Sequence, residues 1–402
     1  MGYSQRRPQE TEATNVTRCR AIVRQHLPSM AALLAAMILI STNCLADPLV
    51  VEEHVTLPVT IDGRAEHLEA LIVRPATGGR FPIALIVNGA SRHPRSMHAD
   101  DLANLAHDFA HRGWLAASIV WRGYGHSSGV VQDEAGTCTR PDVARYLDAR
   151  ADDLAAALAS LRTRPDVDNT TVLGVGTSVG GVSMLDLAAR PDRPLTAVIN
   201  LSGGLYHDAR PFAPNPACGP FETALVRQVS AFGAAAVPTL WIYARNDPWF
   251  RPELVERMLQ GYRAGGGKAD FAMLPPFRKD GHTLYRWEAS DLTQPRIDGF
   301  LAANHLPAME DSAVFTPLLA VLNARGREDV QRYLRASTEK ALAISANDHG
   351  VYWAVNTRSL AKAREKALAH CRTSSGRQCH VIAENRNLLA TWRDAYQQQG
   401  PR

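Results

Sequence analysis

Across residues 47–305, short apolar runs alternate with stretches whose apolar side chains recur at helical spacing. Residues 51–60 and 67–74 read as early strands. Residues 82–87, Pro-Ile-Ala-Leu-Ile-Val, form a continuous apolar run, the pattern of a strand covered on both faces. Residues 98–111 have helical spacing, with Leu102, Leu105 and Phe109 on one side. A strand is predicted at 114–121 and an amphipathic helix at 150–162, with Leu154, Leu158 and Leu161 in phase. Then come a strand at 171–175, a helix from Val179, strands at 196–201 and 237–243, a helix at 252–264, a strand at 269–274 and a helix near 293–303. This alternation predicts an α/β fold with a mostly parallel, doubly wound sheet.

The pattern changes after His305. A helix is expected at 327–337, a hairpin from strands 340–345 and 351–356, a helix at 359–370 and a strand at 379–383, with the hairpin turn at 346–350. Residues 306–402 therefore read as a separate small α+β module.

The N-terminus is an address. Arg18, Arg20 and Arg24 precede the apolar run 30–40, and Cys44-Leu45-Ala46 ends it before Asp47. A basic segment, a short apolar core and a small residue at the cut make a secretory signal at 1–46. The run is too short for a membrane-spanning helix, which needs roughly 20 apolar residues. The mature chain is thus expected to have no stable membrane span and to be periplasmic or secreted.

The chain has 402 residues, 44 of them Lys or Arg and 40 Asp or Glu. Losing the leader removes five Arg and two Glu, leaving 39 basic against 38 acidic residues. So balanced a chain has no nucleic-acid footprint. Four cysteines remain, an even number that reads as two disulfides in an exported protein. Cys371 and Cys379 flank a short polar loop and are paired here, which leaves Cys138 with Cys218. No C-x-x-C spacing supports a zinc site, and neither metal nor cofactor is expected.

The chemistry centres on Gly176-Thr177-Ser178-Val179-Gly180, directly after one predicted strand and directly before a helix. That is the setting of a nucleophile elbow. Gly176 and Gly180 let neighbouring segments close in on the sharp turn. A serine nucleophile needs a base, and the base an orienting acid, in the chain order Ser, acid, His. Asp247 follows the strand at 237–243, and His282 follows the strand at 269–274. Both sit beyond the carboxyl ends of their strands, where open α/β sheets place sites. Asp247 would also suit a helix N-cap. His93, His98, His126 and His207 fit rim or solvated positions better than the base, and Asp280 is too local to orient His282. Two N–H donors are required for the oxyanion. Val179 supplies one, and Ala90, in the loop Asn88-Gly89-Ala90-Ser91, the other.

These residues resemble the α/β-hydrolase superfamily over 47–305, and within it the dienelactone hydrolase-like branch of exported bacterial serine esterases. The resemblance rests on Ile86-Val-Asn-Gly-Ala90, Trp121-Arg-Gly-Tyr-Gly125, the Ser178 elbow, Tyr243-Ala-Arg-Asn-Asp247 and Asp280-Gly-His282. It implies hydrolysis of a small-molecule ester through an acyl-serine. Asn88 stands where many relatives carry His, and Ser178 where dienelactone hydrolases carry Cys. A peptidase or amidase on the same triad stays open, as does a binding protein that has lost activity. Residues 203–235, with Tyr206, Phe212, Cys218 and Phe221, are long for a strand–helix link. They are expected to form a cap pinned by Cys138–Cys218. The C-terminal module is similar to small Cys-containing bacterial domains and adds no evident catalytic residue.

Overall fold

The structure, a computed structural model, describes residues 49–132, 134–207, 217–309, 312–346 and 350–397. The expected leader, Phe212 of the expected cap and the centre of the hairpin turn at 347–349 lie outside the described residues.

Eight strands among the described residues form one sheet in the order β1-β2-β4-β3-β5-β6-β7-β8. They are β1 (Val50–Ile61), β2 (Arg64–Pro75), β3 (Phe81–Val87), β4 (Leu115–Ile119), β5 (Val167–Thr177), β6 (Ala197–Leu201), β7 (Pro238–Ala244) and β8 (Lys268–Leu274). The β1–β2 and β2–β4 pairs are antiparallel, and every later pair is parallel. The sequence explains this division. β1 alternates buried and more exposed residues along half its length, whereas β4 and β6 are buried at every position, as doubly covered parallel strands must be.

Six α-helices among the described residues accompany this sheet: α1 (Ala103–Ala110), α2 (Val143–Leu161), α3 (Val179–Ala189), α4 (Gly219–Phe232), α5 (Pro252–Ala264) and α6 (Ser290–Ala303). Helices α2 to α5 pack against one another in succession. α3 is buried from Val179 through Ala188, which fits its apolar residues falling all round the helix rather than on one side. Several predicted boundaries move, two of them at helix starts. The helix expected from residue 98 opens with a 3-10 turn at Ala99–Leu102, and α2 begins seven residues before its expected start.

The larger change concerns the expected cap. Within residues 203–235, α4 is a regular helix packed on α5, α3 and α2, with Phe221, Leu225, Val229 and Phe232 buried beneath it. It belongs to the helical layer of the fold. Cys218 stands at its N-terminal end, bonded to Cys138 with 5.8 Å between Cα atoms.

The C-terminal part contains α7 (Thr316–Val321), α8 (Ala324–Arg335), β9 (Lys340–Ser345), β10 (Val351–Val355), α9 (Leu360–Ser375), β11 (Cys379–Glu384), β12 (Asn387–Leu388) and α10 (Trp392–Gln397). Its four strands form an antiparallel sheet ordered β10-β9-β11-β12. Cys371 on α9 is bonded to Cys379 at the start of β11. Pro48–Arg402 group as one compact unit, with α8 packed on α6. No helix among the described residues is long and apolar enough to cross a membrane.

Candidate active site

Strand β5 delivers Ser178 to the end of the sheet, and α3 starts at the next residue. Ser178 has φ 54° and ψ −127°, in the left-handed half of backbone space that a residue with a side chain avoids. The turn is over-determined by its neighbours. Ser178 N donates to Leu201 O at 3.0 Å, while Ser178 O accepts from Gly181 N at 2.9 Å and Gly204 N at 3.2 Å. A Cβ on Gly176 would lie 2.2 Å from Gly180 O, and one on Gly180 would lie 2.7 Å from Asn88 O. Both elbow positions are therefore closed to larger residues.

β7 and β8 run parallel to β5 through β6, and the loops after them carry the other two expected residues. His282 Nδ1 lies 2.9 Å from Asp247 Oδ2. The other carboxylate oxygen, Asp247 Oδ1, accepts from Trp249 N at 2.8 Å and Phe250 N at 3.1 Å. Asp247 is not the helix N-cap that its sequence context suited, because α5 starts at Pro252 after Arg251; it closes the turn before that helix and also holds the imidazole. Asp280 Oδ1 accepts from His282 N at 2.9 Å, so it fixes the backbone rather than the ring. Phe250 and Trp249 pack against the imidazole, with ring centroids 5.6 and 6.3 Å away.

The loop after β3 faces the elbow. Asn88 Oδ1 accepts from Gly89 N at 2.9 Å and Thr177 Oγ1 at 3.1 Å, and Trp121 Nε1 donates to Asn88 O at 3.0 Å. Asn88 therefore ties the loop to the elbow strand. A Cβ on Gly89 would sit 2.6 Å from Ser178 Cβ, so only glycine lets this backbone approach the serine. Ala90 follows at the cleft wall, and Val179 is buried at the start of α3.

Ser178, His282, Gly89 and Ala90 open into one cleft of about 890 Å³. Tyr206 and Trp249 line it and stack with centroids 4.5 Å apart. His93 lies on its wall, as a rim residue should. His126 and His98 lie together beside Glu69 instead, and His207 packs near Phe221. Two wall residues, Thr357 and Arg358, come from the C-terminal part, which therefore shapes the cleft although the sequence showed no sign of it. Arg358 is held by Glu52 and by Asp100 Oδ2 at 2.7 Å. No local pattern could have announced this contact between residues 258 positions apart.

The strand order and the turn at Ser178 are those of an α/β-hydrolase fold. The family model X-Pro dipeptidyl-peptidase (S15 family) matches residues 62–211. Among solved structures, a Pyrococcus furiosus esterase is similar at 13% identity and TM-score 0.46, over 62% of this chain and 90% of that one. A Mycobacterium tuberculosis puromycin-hydrolyzing peptidase is similar at 18% identity and TM-score 0.45, over 64% of this chain and 40% of that one. A dienelactone hydrolase-like promiscuous phosphotriesterase from metagenomic libraries is similar at 20% identity and TM-score 0.39, over 57% and 82%. No curated protein matches the chain.

Proposed function

We propose that the protein is a serine hydrolase that cleaves carboxylic esters through an acyl-serine intermediate. One observation carries this reading: Ser178, on its strained turn, shares a cleft with His282, whose Nδ1 is bonded to buried Asp247. With the Nδ1 proton donated to Asp247, His282 Nε2 keeps its lone pair for the Ser178 hydroxyl. Ser178 Oγ attacks the acyl carbon as its proton passes to Nε2. The carbonyl oxygen gains the negative charge and accepts from the N–H groups of Val179 and Ala90. The same proton then leaves with the alcohol, and the acyl group stays on Ser178. Water, activated by His282 in turn, attacks the acyl-serine and frees the acid. Every group in this sequence is a side chain, a backbone N–H or water.

A second reading is favoured by one specific observation, the peptidase family matched over residues 62–211. Amide cleavage uses the same nucleophile and differs in the leaving group, an amine that His282 must protonate. In either reading residues 47–305 form the catalytic body and 306–402 the appended module. The basic and apolar leader at 1–46 and the two disulfides support export to the periplasm or the medium.

The test begins with a fluorophosphonate probe on folded protein. Labelling is expected at Ser178 and is expected to vanish in Ser178→Ala. No labelling of folded wild type would sink both enzyme readings and leave a binding protein. A panel of short-chain aryl esters and Xaa-Pro anilides then separates the first two. The ester reading expects higher kcat/KM on the esters, with Ser178→Ala losing roughly 10⁴-fold or more. Preference for the anilides would establish the peptidase instead.

A further inference from the structure

Beside the catalytic cleft, three side chains that the triad does not use converge on one point. Glu69 leaves β2, His98 precedes the 3-10 turn before α1, and His126 follows Gly125 in the loop after β4. Glu69 Oε1 lies 3.4 Å from His98 Nδ1, and Glu69 Oε2 lies 3.4 Å from His126 Nδ1. One donor atom from each residue falls within 4.8 Å of the others, and the imidazole centroids are 5.1 Å apart. Zinc bonds of about 2.0–2.2 Å put the ligand atoms of a tetrahedral site roughly 3.4 Å apart; each imidazole stands at that distance from one of the two carboxylate oxygens, and one ligand atom from each residue lies within 4.8 Å of the others.

The carboxylate is pre-set for this role. Its oxygens accept from Ala99 N at 2.9 Å and His126 N at 2.7 Å, so the loops that carry both histidines are fixed by the acid they face. Each carboxylate oxygen keeps a second lone pair toward the imidazoles. Gly125 has φ 46°, and a Cβ there would lie 2.5 Å from Glu69 Oε2, so glycine is what lets the loop bring His126 in. Glu69 is only 15% exposed, yet no Lys or Arg among the described residues forms an ion pair with it. A partly buried carboxylate whose ion-pair partners among the described residues are two imidazoles is a place for a cation. His126, 81% exposed, leaves an approach from solvent.

We propose that Glu69, His98 and His126 bind a zinc-class divalent transition metal. The donor set of two imidazoles and one carboxylate suits zinc and its neighbours and not magnesium or calcium, which take all-oxygen shells. Water completes the coordination. No metal is legible in the sequence, because the three residues lie 29 and 28 positions apart and share no motif spacing. The ion would pin the loop that follows the oxyanion segment. Its residues His93, Ser96, Met97, Asp100 and Asp101 line the cleft. The ion would therefore act on the shape of the cleft, not on the bond broken there.

The experiment is metal titration of the mature protein with any tag removed. Calorimetry with Zn²⁺ is expected to show about one equivalent bound at micromolar or tighter affinity. Co²⁺ as a probe is expected to give the intense visible bands of four-coordinate geometry. His98→Ala and His126→Ala, each checked for wild-type circular dichroism, are expected to weaken binding by at least about tenfold. His380→Ala, on β11, should leave it unchanged. Absence of saturable binding up to about 100 μM Zn²⁺ overturns the proposal, as does equal affinity in wild type and both variants. None of these readouts requires catalytic activity, so failure of the hydrolase reading and failure of the metal site remain distinguishable.

Discussion

Asp247 shows how one side chain serves two structural purposes through two oxygens. Oδ1 closes the turn on Trp249 and Phe250 N–H groups, and Oδ2 holds His282 Nδ1. Asparagine can keep the first role with its carbonyl oxygen, but it cannot supply an anion to the imidazole. Asp247→Asn is therefore expected to fold normally and to lose roughly 10⁴-fold in kcat. Full activity in that variant would reduce Asp247 to a capping residue. The strand-end positions of Ser178, Asp247 and His282 were legible because each follows a strand whose apolar run is plain in the sequence, and the strand fixes where its next residue emerges. Trp249 and Arg358 were not. Their place in the cleft depends on contacts across the fold, and aromatic or basic residues in loops carry no local mark of that.

At the scale of elements, residues 219–232, expected as part of a cap, form a helix in which Phe221, Leu225, Val229 and Phe232 recur at helical spacing and are buried. Seen as a layer helix, α4 changes what the Cys138–Cys218 bond does: it staples the loop after β4 to a packed element. It closes a loop across a separation of 80 residues, for which chain entropy sets a ceiling of about 4.5 kcal/mol. The double variant Cys138→Ser/Cys218→Ser is expected to melt several degrees lower with unchanged selectivity between small and bulky acyl esters. Altered selectivity would restore a cap role to this segment. Helix α3 carries a different tension. Asp186 is buried, and Oδ2 has no hydrogen-bond partner. Burial, and then Asp148 and Asp152 on α2, push its pKa up to about 7 against the opposing pull of Arg190. The folded chain therefore keeps a proton that the unfolded chain has lost across the window from about 3.8 to about 7. Stability falls as pH rises through that window, and the full cost stands above it. A three-unit shift bounds the cost at about 4 kcal/mol. Asp186→Asn is expected to raise the melting temperature at pH 8 and to give little gain near pH 4. Equal gains at both pH values would show that the charge is not the cause.

The docking of the C-terminal part is a property of the whole molecule, and it hangs on a run that reads in sequence as surface: Ser337-Thr338-Glu339-Lys340. All four are buried. Asp108 on α1 accepts from Ser337 Oγ at 2.7 Å, from Thr338 N at 2.8 Å and from Thr338 Oγ1 at 2.9 Å. Lys340 Nζ donates to Leu334 O and Ala336 O, and burial lowers its pKa to about 7. Glu339 Oε1 lies 2.5 Å from His111 Nε2 and 3.4 Å from His107 Nδ1. The module's strands and helix were predictable from periodicity. Its seat was not, because a polar run looks solvated until the partners 228 to 232 residues away are known. This seat titrates. Burial alone would raise the Glu339 pKa, but bonds from His107, His111 and Asn385 outweigh it and hold the carboxyl well below its usual range. Burial alone would lower the His107 pKa, but Glu339 and Glu52 outweigh it and raise the value. The Glu339 contribution is present above about 4.5 and lost as pH falls through its depressed folded value. The His107 contribution is present below about 6.5 and lost as pH rises through its raised folded value. Glu339→Gln removes the charge common to both and is expected to cost about 3 kcal/mol near pH 6, the scale of a broken buried pair. It should also flatten the loss of stability on the alkaline side. Because Thr357 and Arg358 line the cleft, loosening this seat is expected to raise KM more than it lowers kcat. A fall in kcat at constant KM would instead mean that the module acts on the triad.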